Sequence, residues 1–371
     1  MIIAGYPYDK HAKLLVEYCI GARDGDEVVI SSTYEALPLI AEIVRELASR
    51  GAYPYTVIRD EMLSETFLRY ATNELLQRVS RIERALTELP TAMISINAST
   101  HTKYLSSLDP GKLSLYQRSR IELNKLFLER AARGELRWVV SAYPTKALAQ
   151  EASMSYLDFV KFVIEALKLN EPDPIASWRQ QASMQERIIN ALSRHDEFKI
   201  VGKNVDLLLK AGGRKWINDD GKNNMPGGEV FTAPIEDSVE GWILFEYPAV
   251  YRGYEVEGVK LVFRRGTVVE ASAIKGHDVL QHLLSVDEGA KRVGEFAFGL
   301  NYSIKRPVKM ILFDEKIGGT IHLALGSAYP ETGGKNVSSI HWDLIKDCSQ
   351  VRVYADGDLI YENGRFLLDV L

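Results

Sequence analysis

The sequence predicts an α/β protein in two parts: an N-terminal parallel-sheet α/β domain over residues 1–195, then a strand-rich α+β domain over 196–371. Three observations carry this reading. Up to about residue 150, short apolar strands alternate with stretches of helical periodicity, the pattern of a parallel sheet covered by helices. Past residue 196 glycines thicken and segments of period two replace the helices. The C-terminal stretch VRVYADGDLIYENGRF then carries two hairpin signals, Asp356-Gly357 and Asn363-Gly364. A length of 371 residues fits two domains of ordinary size.

Taken in order, Asp9 is expected to cap a first helix whose inward residues are Leu14, Leu15, Tyr18 and Cys19 and which ends at Gly21. EVVIS at 27–31 reads as a buried strand. A helix follows over 36–49, with Leu37, Ile40, Val44 and Leu47 at helical spacing and Gly51 just past its end. Residues 53–58 return as a strand and close a strand–helix–strand unit, for which a right-handed crossover is expected. Further strands are predicted at 92–97 and 136–141, and long helices at 156–169 and 175–194. In the second domain, strands are predicted at 198–201, 205–209, 242–246, 261–264 and 267–272, with a helix at 279–285.

Composition narrows the function classes. The chain is 46 % hydrophobic and 26 % charged, ordinary for a globular protein. Lys and Arg number 45 against 50 Asp and Glu, a net charge of −5, so no basic surplus points to nucleic acid. Cys19 and Cys348 make no disulfide framework and suit a reducing compartment. The first residues lack the pattern of a signal peptide, and no apolar run approaches the ~18 residues of a membrane span. The expectation is a cytoplasmic protein without a membrane partner.

Several catalytic motifs are missing: HExxH, GxSxG and GxGxxG. GGKN at 333–336 imitates a phosphate loop, but Asn336 stands where Ser or Thr would bind magnesium. Chemistry-bearing residues concentrate instead in the second half, where four of the seven histidines lie between 277 and 341. His341 and Asp343, two apart, share a face on an extended chain, where they suit either one cation or an ordinary hydrogen bond. TIHLALGSAY alternates, with Thr320, His322 and Ala324 on one face and Ile321, Leu323 and Leu325 on the other. His322 there needs a polar partner, or is simply a strand-surface histidine. Asp314-Glu315 precedes Gly318-Gly319, a turn that could aim a carboxylate back at that strand. Glu229 follows a Pro-Gly-Gly turn, and Glu295 sits in apolar GEFAFGLN, where a carboxylate faces solvent or finds a cation or donor. His277 and His282, in KGHDVLQHLL, read as surface or supporting residues. The tryptophans at 138, 178, 216 and 242 read as packing.

In this order, the stretches NMPGGEVFTAP, GEFAFGLN, DEKIGGTIHLALG, AYPETGGKN and SSIHWDLI resemble the thermophilic metallo-aminopeptidases of the aminopeptidase T and S type. Glu229 and Glu295 lie 66 residues apart, which suits that family. The resemblance is specific over 221–347 and looser in the first half. It implies a two-metal exopeptidase with Glu229, Glu295, His322, His341 and Asp343 as metal ligands, holding two divalent ions, zinc or cobalt. It implies Glu315 as general base and Tyr329 as a donor to the oxyanion. It also implies short peptide substrates and a homodimer, with the first domain walling an internal cavity and making dimer contacts. Two competing readings are a non-catalytic peptide- or metal-binding member and a nucleotide-binding first domain. The missing glycine fingerprint argues against the second.

Overall fold

A computed structural model describes residues 2–251 and 253–367, and the chain divides into two compact units. The first comprises 1–175 with 222–225, the second 176–221 with 226–371.

In the first unit, β1 (Glu27–Thr33), β2 (Tyr53–Arg59), β3 (Ala92–Asn97) and β4 (Arg137–Ala142) form a parallel sheet in the order β2-β1-β3-β4. The parallel layout is the one expected, because helical segments connect the successive strands. The helix Leu37–Ser49 buries Leu39, Ile40, Ile43 and Leu47, while Leu37, at its first position, stays exposed. Asp9 does not cap the first helix. Pro7 precedes Tyr8–Lys13, its carbonyl taking the His11 N–H, and Asp9 lies inside the first turn. A proline at that position has no N–H to satisfy, and an acidic first turn still favours the helix dipole. The chain then widens into a π-helical turn, Leu14–Cys19, which buries Leu14, Leu15, Val16, Tyr18 and Cys19.

The second unit is built on two large sheets and a two-stranded one. After β5 (Glu197–Gly202), β6 (Val205–Lys210) and β7 (Ile217–Asp219), the short β8 (Asn224–Met225) pairs with β4 in the first unit's sheet. Then follow β9 (Glu229–Thr232), β10 (Glu240–Phe245), β11 (Ala249–Tyr251), β12 (Tyr254–Val256), β13 (Val259–Arg264) and β14 (Thr267–Ser272). The chain closes with β15 (Val293–Gly299), β16 (Thr320–Gly326), β17 (His341–Asp347), β18 (Val351–Ala355), β19 (Asp358–Glu362) and β20 (Arg365–Phe366). One large sheet runs β14-β13-β10-β6-β5-β18-β19-β20, the other β17-β16-β15-β9-β7, and β11 pairs with β12 in the two-stranded one. Both predicted hairpin turns form, with Asp356, Gly357, Asn363 and Gly364 all at positive φ, as two-residue hairpin turns need.

A single apolar cluster joins the two large sheets. Phe296, Phe298, Ile321, Leu323, Leu325, Trp342 and Leu344 come from the five-stranded sheet, and Phe198, Ile200, Leu207, Ile243, Phe245, Leu261 and Val353 from the eight-stranded one. Ile188, Ile189 and Leu192 of the helix Pro174–Leu192 and Leu280, Leu283 and Leu284 of the helix His277–Leu284 complete it. Trp216 and Phe296 meet edge to face with centroids 5.8 Å apart, a favoured aromatic geometry. One face of the five-stranded sheet is therefore committed to the core. What its other face carries decides the chemistry.

Candidate metal centre

Strand register lays that other face out in rows. Gly299 stands opposite Glu229 on one side and Thr320 on the other. Ala297 lies between Phe231 and His322, and Ala324 between Glu295 and Asp343. His341 follows opposite Gly326. Charged and imidazole side chains thus alternate with Ala or Gly, whose missing bulk leaves room above the sheet for groups from neighbouring strands to converge.

Glu295 reaches this face through a β-bulge. Val293 pairs with Leu325 and Glu295 with Ala324, so Gly294 is an extra residue on β15. In a regular, unbulged strand, residues 293 and 295 would share a face. With the bulge, Val293 enters the apolar core and Glu295 turns to the opposite side. Only glycine fits there, since a Cβ at 294 would sit 2.4 Å from the Gly326 oxygen and 2.5 Å from that of Ser327. Glu229 is delivered by a second glycine. Gly228 has φ +113° and packs against Asn301, and the buried Gln185 donates to the Glu229 carbonyl at 2.8 Å.

The predicted side chains converge. His322 Nε2 is 3.1 Å from Glu295 Oε1 and 3.5 Å from Glu229 Oε2. His341 Nε2 is 3.4 Å from Glu295 Oε2 and 3.6 Å from Asp343 Oδ1. His341 Nδ1 lies 2.8 Å from the Ser327 carbonyl, which can only accept, so Nδ1 carries the proton and Nε2 is the nitrogen turned to the carboxylates. Glu315, just past the short helix Ile311–Asp314, joins Glu229 and His322, with one ligand atom from each within 4.8 Å of the others. Glu295, His322 and Asp343 form a second such group. Tyr329 lies over His341, ring centroids 4.9 Å apart, and beside Phe231 at 5.6 Å. His322 is no strand-surface histidine, because both faces of β16 are buried.

Within the second unit, His195, His277 and His282 join neither group of candidate ligands among the described residues. His11 is buried in the first unit between the Tyr6 hydroxyl and Ser141, and burial lowers its pKa to about 3. His195 pairs with Asp356, and His277 and His282 are exposed on their helix.

Two charged members of the centre escaped sequence reasoning. Lys316, fully buried, sets its ammonium 2.5 Å from Asp219, 2.6 Å from Glu229 and 2.8 Å from Glu315. A signal existed: a lysine inside DEKIGG, between apolar segments, requires carboxylate partners if that stretch is buried. Asp219 had no such signal, since only the pairing of β7 with β9 sets it opposite Glu229. Asp314, by contrast, turns away to accept the Val308 N–H, and burial raises its pKa to about 7.

Electrostatically the cluster is short of positive charge. Burial raises Glu229 well above the ordinary carboxylate range, with Lys316 opposing, and raises Glu315 in the same way. Burial would also raise Glu295, but hydrogen bonds from His322 and His341 overrule it and hold it at about 2. Against the lowering effect of burial, the same carboxylates push His322 up to about 9 and His341 to about 12. Five carboxylates, Asp219, Glu229, Glu295, Glu315 and Asp343, face one permanent cation, Lys316. Glu229 Oε2 and Asp343 Oδ1 are buried with no hydrogen-bond partner, a cost a bound cation would relieve. Mixed imidazole and carboxylate donors of this kind suit a divalent transition metal.

A family model described as thermophilic metalloprotease (M29) matches residues 7–366. The chain belongs to that family. This metalloprotease is 29 % identical to aminopeptidase T of Thermus thermophilus over 96 % of its own length and 95 % of the relative's. It is 28 % identical to aminopeptidase 2 of Geobacillus stearothermophilus, over 87 % and 84 % respectively. The solved structure of wild-type AmpT from Thermus thermophilus superposes with a TM-score of 0.85 at 26 % identity, covering 98 % of this chain and 99 % of that one. The metalloprotease has no helix, among its described residues, long and apolar enough to cross a membrane.

Proposed function

We propose that this metalloprotease is an aminopeptidase that removes the N-terminal residue from short peptides, using two divalent cations, zinc or cobalt. The observation that carries the reading is the charge balance of the buried cluster. With both imidazoles neutral, as metal ligands are, five carboxylates against one ammonium leave four formal negative charges, the number two divalent cations match. Glu229, Glu295, His322, His341 and Asp343 would hold the ions. When bound, they supply Lewis acidity for a water and for the scissile carbonyl, and a docking point for the substrate's free α-amine. Glu315 takes the proton from the attacking water and passes it to the leaving amine. Tyr329 donates its hydroxyl to the developing oxyanion, and desolvation together with the neighbouring carboxylates raises the phenol's pKa and keeps it protonated. In this reading the enzyme is a cytoplasmic homodimer.

The test is metal content, mass in solution and release of leucine from Leu-p-nitroanilide, before and after chelation. About two metals per chain, a mass twice the 41.7 kDa of one chain, and activity lost with chelator and restored by Zn²⁺ or Co²⁺ are expected. Two metals with peptide binding but no turnover would instead make it a non-catalytic binder.

Protons give a second readout. In the metal-free protein both imidazoles have pKa values above neutrality, so both are charged at pH 7. A cation needs the lone pair that the proton occupies. Titrating Zn²⁺ into metal-free protein in weak buffer near neutral pH should therefore acidify the solution by one proton per imidazole. Metal uptake without acidification would remove His322 and His341 from the ligand set.

A further inference from the structure

The mechanism above leaves Lys316 without a task. An ammonium has three donors, and those of Lys316 face three carboxylates, Asp219 Oδ2, Glu229 Oε1 and Glu315 Oε1. The side chain is fully buried. The two groups of candidate ligands are consequently unequal. The group of Glu229, Glu315 and His322 has two members already engaged by the ammonium. The group of Glu295, His322 and Asp343, with His341 beside it, has no contact with Lys316 among the described ion pairs. A cation arriving at the first group meets a fixed positive charge within a few ångströms and finds one oxygen of each glutamate taken.

Resting on the two-metal reading, we propose that Lys316 sets the order of metal loading. The position framed by Glu295 and Asp343 fills first and tightly. The position framed by Glu229 and His322, with Glu315 beside it, fills second and exchanges readily. Before the second ion arrives, Lys316 supplies the positive charge that keeps the carboxylates of Asp219, Glu229 and Glu315 together. Lys316 is thus a positioning residue: it touches the carboxylates and not the reacting atoms.

The experiment is a Co²⁺ titration of the metal-free chain, read by equilibrium dialysis and metal analysis rather than by activity. The wild type should bind in two phases whose dissociation constants differ by about tenfold or more. Lys316→Gln removes the repulsion but keeps an amide donor, so its second phase should tighten by about tenfold and narrow the gap. Asp219→Asn does the opposite. It takes away the carboxylate that offsets Lys316, so the second phase should weaken while the first stays in place. The opposite signs separate an electrostatic role from a merely structural one, which would weaken both phases in both variants. If Lys316→Gln does not fold, Asp219→Asn carries the test alone. Two ions of equal affinity in the wild type, or a first phase that moves with the second, overturns the loading order and leaves the two-metal reading intact. No uptake at all by the wild type overturns both.

Discussion

Glu315→Gln is expected to leave the metal content unchanged and to lower kcat by about 10²–10⁴-fold, with little change in KM. The substitution keeps the side chain's volume and the oxygen that accepts from Lys316 at 2.8 Å, and removes only the ability to take a proton. Burial lifts the Glu315 pKa above its ordinary value while Lys316 opposes the rise. Upward is the direction a base working near neutral pH requires. Metal analysis beside steady-state kinetics checks the assignment. A variant that loses an ion would make Glu315 a ligand, consistent with its place beside Glu229 and His322. A fully active one would remove it from the chemistry.

Gly294→Ala should be as damaging although it adds one methyl group and touches no predicted ligand atom. The new Cβ would lie 2.4 Å from the Gly326 oxygen and 2.5 Å from the Ser327 oxygen, and both obstacles are backbone. The strain moves two ligands at once. Glu295 is the next residue, and the Ser327 carbonyl is what orients His341 through Nδ1. Overpacking of this kind costs about 1–3 kcal/mol of stability. A displacement of about 1 Å at the centre would cost roughly 10²-fold in kcat/KM. The checks are thermal unfolding of the metal-free protein, Co²⁺ affinity and kinetics. Wild-type affinity and activity in Gly294→Ala would mean that the bulge is not what aims Glu295.

These two expectations draw on different kinds of information. His341 and Asp343 were readable as a pair because residues two apart on a strand share a face, and β17 keeps that geometry. The alternation in TIHLALG was readable too: Ile321, Leu323 and Leu325 enter the core, and Thr320, His322 and Ala324 face the other way. Glu295 obeys no such rule, since counting residues puts it on the face of Val293 and the bulge at Gly294 reverses it.

Sequence patterning determined the class of fold, the parallel first sheet, the strand-rich second half and its hairpin turns. Each of these follows from local periodicity and turn chemistry, which a linear reading can see. The resemblance of five ordered motifs added the family to which the chain belongs. Tertiary structure alone decided that His322 is buried, that Asp219 faces Glu229 across a strand pair, and that Lys316 contacts three carboxylates at once. Those facts depend on residues up to 97 positions apart, Asp219 and Lys316 among them, meeting in a medium of low dielectric. There the energy of a charge is set by its neighbours in space, and no pattern along the chain encodes it.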